Sequence, residues 1–268
     1  MKCIPFSAHN KPKRSGDNDI IKRMENTCFL SLIIPAYNEE KRLPDCIEKL
    51  KSFISSQKEP VEVLLVENGS SDATYQMASA YQEQLPWLTV LHEDKAGKGG
   101  AIRKGMLASH GKYRMFADID FAMPVEEISK FIPPKLHNFD VAIASRAAKG
   151  SVQKNKSPIR SLSSNVFNLF VQLLAVRGIR DTQCGFKCFT AAAAEKIFSV
   201  QTIEGWAFDV EVLYIAKHFN MRIAEIPITV FYDENSKVKL WTAVPKMMLD
   251  IFKIRKNNKN GLYDRISG

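Results

Sequence analysis

Two carboxylates two residues apart, Asp118-Ile119-Asp120, follow the largely apolar run Tyr113 to Ala117 and precede Phe121-Ala122-Met123-Pro124. An apolar and aromatic run closing on acids reads as a buried strand whose C-terminal end presents oxygens to a crevice. That is where open α/β sheets take their ligands. Hard oxygen donors suit Mg²⁺ or Mn²⁺, and Mg²⁺ commonly takes one or two protein carboxylates while water and substrate phosphates fill its other positions. Asp118 and Asp120 are therefore the candidate metal ligands. Taken alone, the same pair would serve as a turn or a helix cap.

Three further loops carry complementary chemistry. Pro35-Ala36-Tyr37-Asn38-Glu39-Glu40 offers an aromatic ring and carbonyl groups suited to a nucleobase, and Glu67-Asn68-Gly69-Ser70-Ser71-Asp72 offers acceptors for base or ribose donors. Asp94-Lys95-Ala96-Gly97-Lys98-Gly99-Gly100 places Lys95, Lys98 and glycine backbone at a helix start, where anions are favoured. Base, ribose, phosphate and metal in successive loops describe a nucleoside diphosphate site.

The elements that must position these loops follow from the apolar spacing. Phe29 to Pro35 reads as a strand and Glu39 to Ser56 as a helix, with Leu43, Ile47, Leu50 and Ile54 on one face. The unit recurs with Val61 to Val66 and a helix from about Ala73 to Gln84 capped by Ser71 or Asp72. It recurs again with Thr89 to His92 and a helix from about Gly100 to Ser109. The strand ending at Asp118 is the fourth, and Asp140 to Ala144 is another. Strands alternating with helices imply parallel pairing in a doubly wound sheet. Further on, Leu162 to Val176 and Ala207 to Phe219 have helical spacing, and Ile223 to Ile228 reads as a late strand. Trp241, Val244, Met248 and Phe252 form a final stripe flanked by Lys246, Lys253, Arg255 and Lys256, with Pro245 in the first turn or at a kink.

Composition narrows the class. The 268 residues, 45% hydrophobic, suffice for one large core or two small ones. Five cysteines without paired spacing favour neither a disulfide framework nor a zinc site, and fit a reducing, cytoplasmic compartment. No run reaches the roughly 18 apolar residues of a membrane span, and residues 1–28 read as a mobile, mildly basic arm rather than a secretory signal. The net charge of +9 is uneven. Val141 to Arg180 holds seven cations and no acid, and eight Lys or Arg close the chain from Asn235 against Asp250 and Asp264. Both zones expect anions. Nucleic acid would rest on charge alone, without a recognisable binding motif. A dinucleotide enzyme lacks the full GxGxxG pattern, and no Gly-Lys-Ser or Gly-Lys-Thr of a P-loop occurs.

PAYNEE, ENGSSD, KAGKGGAIRKGM, DIDFAMP, ASR, RDTQCGFKCF and GWAFDVE, in this order, resemble the family 2 inverting glycosyltransferases, specifically the dolichyl-phosphate β-glucosyltransferase and polyprenyl-phosphate sugar transferase branch. The likeness runs from about Leu30 to Arg255. It implies a GT-A-type nucleotide-sugar fold, a mixed, mostly parallel sheet flanked by helices, with C-terminal amphipathic helices. The implied domain spans 29–235, a donor half over about 29–124 and an acceptor half over 125–235, followed by a basic, membrane-proximal segment at 236–268. The implied reaction moves a hexose, glucose from UDP-glucose first among the donors, onto a polyprenyl phosphate at the cytoplasmic face of a membrane, with Mg²⁺ or Mn²⁺. The resemblance leaves room for a membrane-protein partner or a homo-oligomer. The chain departs from it at Glu67-Asn68, where the family usually has two aspartates, and at Ala122, where mannosyl relatives commonly have glutamine.

Carried onto this chain, the resemblance puts Pro35, Ala36, Tyr37, Glu39, Glu67, Asn68, Lys95, Lys98 and Asp118 at the donor. Asp118 and Asp120 hold the metal, and Arg146 and Arg160 face the acceptor phosphate, which the planar fork of arginine suits. Asp181, Gln183 and Lys187 fall in the acceptor-side loop, with Trp206, Asp209 and Glu211 near the sugar. Asp209 and Glu211 lie two apart on a helix, so only one of them can face the site. A phosphate acceptor needs no general base; a sugar hydroxyl, the competing acceptor, would need Asp181, Asp209 or Glu211 to serve as one.

Overall fold

The computed structural model describes residues 28–155, 171–172, 174–232 and 240–265, with the side chains of 240–245 excepted. The N-terminal arm, Arg160 and most of the expected helix from Leu162 to Val176 lie outside the described residues.

Four strands alternate with three helices as the spacing demands: β1 (Leu30–Ala36), α1 (Leu43–Ser56), β2 (Val61–Glu67), α2 (Thr74–Gln84), β3 (Leu88–His92), α3 (Lys98–Ala108) and β4 (Tyr113–Phe116). A 3-10 helix (Val125–Phe131), β5 (Val141–Ser145), β6 (Val152–Lys154), β7 (Lys187–Thr190), α4 (Ala191–Val200), α5 (Phe208–His218), β8 (Ile223–Pro227), β9 (Thr229–Phe231) and α6 (Leu240–Lys259) follow. The main sheet runs β3-β2-β1-β4-β7-β5-β8, and β6 pairs with β9 in a small parallel sheet.

Both faces of the sheet are covered, so its strands are apolar on both sides. Leu32, Ile34, Val63, Leu65 and Met115 pack with Leu43, Ile47 and Leu50 of α1 and with the 3-10 helix. Ile33, Val66 and Phe116 face the other way, onto α3, α4 and α5. The alternation of strand side chains makes this division, one residue to each layer.

The sheet is mixed and mostly parallel, as expected, and two features lie outside the simple strand-helix alternation. β7 is antiparallel to both β4 and β5 and lies between them. It is four residues long and opens on a lysine, so its pattern carries no strand signal. The expected late strand is β8, which extends the main sheet as far as Pro227, and the residues beyond it form β9, which pairs with β6. In α6, Pro245 is the sixth helical residue, past the first turn. Of the expected stripe, Met248 is partly buried against the core and Phe252 is exposed. Met247, Ile251 and Ile254 are buried, whereas Leu249 and Phe252 are 71% and 55% exposed. Trp241 and Val244 are among the residues whose side chains are not described.

Candidate functional site

The loops after β1, β2, β3, β4 and β5 meet at the C-terminal edge of the sheet. Phe116 is the last residue of β4, yet Ala117 N still donates to Ile33 O at 3.0 Å. This carries the extended path to Asp118. Asp118 Oδ1 accepts from Lys98 Nζ at 2.5 Å, and the Lys98 ammonium lies 5.3 Å from the centre of the Trp206 ring. Burial opposes the charge on Lys98, but Asp118, Asp209 and Asp120 together hold its pKa above the ordinary lysine value. Asp120 Oδ1 accepts from Ala122 N at 3.1 Å in a tight turn closed by Phe121 at φ 44°. Burial and the neighbouring Asp118 raise the Asp120 pKa, with Arg42 and Lys98 opposing.

That mutual repulsion is what a divalent cation between the two carboxylates would relieve. The donor set suits Mg²⁺ or Mn²⁺, which accept a pair of carboxylates and leave room for phosphate oxygens. Among the described residues no group of three or more His, Cys, Asp or Glu is clustered as a metal site, so the protein would supply only part of a shell. Gly185 completes the cradle. A Cβ there would overlap Asp118 Oδ2, so only glycine lets the loop before β7 lie against this carboxylate.

On the expected base side, Tyr37 is 46% exposed at the end of β1, and Pro35 and Ala36 are strand residues. Asn38, at φ 54°, accepts from Ser71 N at 2.8 Å, and Glu39 N donates to Thr74 Oγ1 at 2.8 Å. Glu39 also pairs with Arg42. α2 is not capped by Ser71 or Asp72 as expected: Ala73 holds the cap position without a side-chain bond, and Asp72, one residue earlier, accepts from Thr74 N at 3.0 Å. Glu67 is buried, with one oxygen accepting from Ser70 N and the other 2.6 Å from His92 Nδ1. Asn68 is almost wholly buried, and the amide orientation that satisfies its neighbours donates to Ala36 O at 2.7 Å and accepts from Gly97 N at 3.0 Å. It ties the loops together, a different task from the base contact expected of it.

α3 begins against a neighbouring loop: Gly99 N donates to Glu204 O at 2.8 Å, and a Cβ on Gly99 would overlap Ile203 O. Lys95 is exposed and lines a cleft of about 350 Å³ between the start of α3 and the 201–204 loop.

The acceptor-side residues form buried ion pairs. Arg146 Nε and Nη2 both donate to the Asp181 carboxylate at 2.7 Å, and Arg146 N donates to it at 2.8 Å. Burial would raise the Asp181 pKa, but Arg146 holds it below the usual carboxylate range. Lys187, fully buried on β7, donates to Asp209 Oδ1 at 2.5 Å and to Cys184 O at 2.8 Å, over the Phe116 ring. Burial raises the Asp209 pKa against the pull of Lys187 and Lys98. Cys184 and Cys188 are separate, buried thiols, and burial pushes Cys184 up to about 12.

Of the two acids on α5, Asp209 is the one turned to the site. Glu211 faces the other way: its oxygens accept from Thr202 N, Ile203 N, Thr202 Oγ1 and Tyr263 Oη at 2.7–3.0 Å. Residues i and i+2 on a helix point about 200° apart, and the burial of Tyr263 fixes Glu211 as a structural hub. Its expected place in the chemistry is corrected on that ground.

Lys187 was expected in the acceptor-side loop, whereas Gly185, Arg42 and His92 belong to the site although no role was read for them in the sequence. Gly185 and Lys187 stand beside Cys184 and Cys188, where glycine and lysine among apolar residues were the available signal.

Residues 31–198 match the family described as Glycosyl transferase family 2. The chain is 36% identical over 242 residues to a dolichyl-phosphate beta-glucosyltransferase of Dictyostelium discoideum, covering 85% of this chain and 74% of that protein. It is 37% identical over 244 residues to that of Homo sapiens, covering 84% and 74%. With that of Saccharomyces cerevisiae the identity is 36% over 258 residues, covering 88% and 76%. Glucosyl-3-phosphoglycerate synthase from Mycobacterium tuberculosis, solved with UDP, shares the fold at a TM-score of 0.60 and 15% identity, covering 92% of this chain and 86% of that one. The same synthase solved with Mn²⁺, UDP and glucosyl-3-phosphoglycerate matches at 0.60 and 15%, over 91% and 86%.

Proposed function

Because the chain belongs to glycosyl transferase family 2, we propose that it moves glucose from UDP-glucose onto a polyprenyl or dolichyl phosphate at a membrane surface, inverting the anomeric centre. The relatives named dolichyl-phosphate beta-glucosyltransferase support the sugar and the acceptor. One observation of the site carries the acceptor class: Asp181 and Asp209 are each closed onto a cation, the partly buried Arg146 and the fully buried Lys187. Both carboxylates are committed to a cation. A phosphate monoester, already an oxyanion near neutral pH, asks for no general base, whereas a hydroxyl does.

In this reading the Tyr37 ring and Glu67 receive the base, and Trp206 lines the sugar. Lys98 brings positive charge to the diphosphate beside Asp118. A Mg²⁺ or Mn²⁺ on Asp118 and Asp120 would neutralise the departing diphosphate. Asp181 fixes the plane of the Arg146 guanidinium, whose remaining edge meets the acceptor phosphate together with Arg160. Lys187 holds Asp209 in place behind them.

The lipid tail requires a surface to leave by. Among the described residues no helix is long and apolar enough to cross a membrane. On α6, Leu249 and Phe252 stand exposed between Lys246, Lys253 and Lys256, all on one helical face. This is the pattern of a helix lying on an anionic leaflet, each cation adding roughly 1 kcal/mol. The described cysteines, all buried and in no disulfide, fit the cytoplasmic side.

A hydroxyl acceptor is the second reading, favoured by the raised Asp209 pKa, which would suit a general base. Transfer of labelled glucose from UDP-glucose into an organic-extractable product, with dolichyl or undecaprenyl phosphate and Mg²⁺ or Mn²⁺, tests the choice. The lipid product is expected, and is lost in Asp120→Asn. Transfer to sugar hydroxyls alone, with no lipid product from UDP-glucose or GDP-mannose, would replace the first reading with the second.

A further inference from the structure

Beside Glu67 stands a histidine that neither composition nor motif singles out. His92, the last residue of β3, places Nδ1 2.6 Å from Glu67 Oε2 and Nε2 3.1 Å from Asp94 Oδ1. Its ring also meets Tyr75 of α2, centre to centre at 5.2 Å. Glu67 is 1% exposed, and its other oxygen is held by Ser70 N. The buried carboxylate is thus fixed on both sides, and each oxygen keeps a lone pair for an incoming N–H. A pyrimidine or purine base that pairs through a ring N–H presents such a donor.

We infer that His92 is a positioning residue for donor recognition: it holds Glu67 for the nucleobase, and its protonation makes nucleotide-sugar affinity depend on pH. The inference rests on the donor reading of the Glu67 loop. A protonated imidazole donates from both nitrogens and satisfies both carboxylates, whereas the neutral ring has one N–H for two acceptors. On deprotonation either Glu67 loses its partner or the Asp94 end of the loop is released, and the charge assistance at Glu67 is lost in both cases.

The groups facing His92 are few. Glu67 comes from β2, Asp94 from the following loop and Tyr75 from α2, while Lys104 of α3 donates to the His92 main-chain carbonyl and pairs with Glu93. Glu67 and Asp94 both work to raise the His92 pKa above 6.5, with Glu67 first, so the charged form extends toward neutral pH and is lost as pH rises through the raised value.

The test is calorimetric titration of the full chain with UDP-glucose and Mg²⁺ between about pH 6 and pH 8. The pyrophosphate diester of that probe has no protonation step in this range. Wild-type affinity is expected to fall several-fold as pH rises. In His92→Leu the affinity at the acid end drops roughly three- to tenfold and the slope disappears. In His92→Asn, whose amide can replace Nδ1 without titrating, affinity is retained and the slope disappears. Steady-state assays should place the loss in KM for the donor, with kcat held at saturation. Wild-type affinity in His92→Leu, or a wild-type slope in His92→Asn, would overturn the inference while Glu67→Gln still weakened binding. Unchanged affinity in Glu67→Gln would remove the donor reading of this loop, and the inference with it.

Discussion

The two flanks of the crevice are held by different means. On the flank of β1, β2 and β3, the loops are tied chiefly by separate hydrogen bonds that engage main-chain groups, from neutral and acidic side chains alike: Asn38 to Ser71, Glu39 N to Thr74, Glu40 to Ala73 N, and Asn68 between Ala36 and Gly97. Lys95, Asp94 and His92 reach solvent, and the buried Glu67 carboxylate is held by Ser70 N and by the exposed His92. On the flank of β5, β7 and α5, Arg146 with Asp181 and Lys187 with Asp209 carry charge into the interior, with Lys187 completely buried. A buried pair costs desolvation of both ions and returns it only while both partners are present. The first flank can therefore change its ligand contacts residue by residue, whereas the second fails when a single partner is removed.

The largest effect expected from breaking this contrast is at Lys187. Lys187→Met strands Asp209 in the interior and should lower stability by about 3–5 kcal/mol in urea unfolding. The double variant Lys187→Met with Asp209→Asn should recover much of that loss. Next, Asp120→Asn should lower kcat about 10²–10³-fold with the melting temperature little changed, because it removes an electrostatic contact of the reaction and leaves the fold intact. Gly185→Ala should follow, displacing Asp118 and raising the divalent-metal concentration needed for half-maximal activity roughly tenfold.

A subtler separation comes from acid. Burial acts to raise the Asp181 pKa, but Arg146 brings it below the unfolded value, so the pair stabilises the protein above that unfolded value. The contribution is lost as pH falls through the lowered, folded pKa. Asp181→Asn should therefore be less stable than wild type at neutral pH and should lose less on acidification. The crossing of the two stability curves, followed by urea midpoints, reads this directly. On the opposite flank, Asn38→Gly keeps the left-handed backbone at φ 54°, removes the exposed hydrogen bonds from Ser71 N and Ser71 Oγ, and should cost only about 0.5–1.5 kcal/mol.

The same contrast governs what could be read from the sequence. Asp118 with Asp120, the Glu67 loop and the Gly97 to Gly100 run lie in successive crossovers, so strand and helix periodicity alone brings them to one edge. Arg146 and Asp181 are 35 residues apart and Lys187 and Asp209 are 22 apart, joined by a strand that runs against its neighbours. Short-range pattern carries no information about such pairs. Helical geometry required that one of Asp209 and Glu211 turn away. Only the packing of Tyr263, more than fifty residues downstream of Glu211, settles which. On α6 the periodicity located the helix and a stripe flanked by cations, of which Phe252 is exposed and Met248 is partly buried against the core.

The Glu211 hub gives the end of the chain an unexpected responsibility. Tyr263 and Asn257 reach back to Glu211 and Thr202, and that loop in turn supplies the Glu204 carbonyl that receives the first amides of α3. Shortening the protein by a few residues past α6 would thus remove a keystone of the diphosphate-facing helix start rather than trim a tail. A C-terminal fusion that begins after Arg265 leaves the arch standing, and one that replaces Tyr263 takes it down.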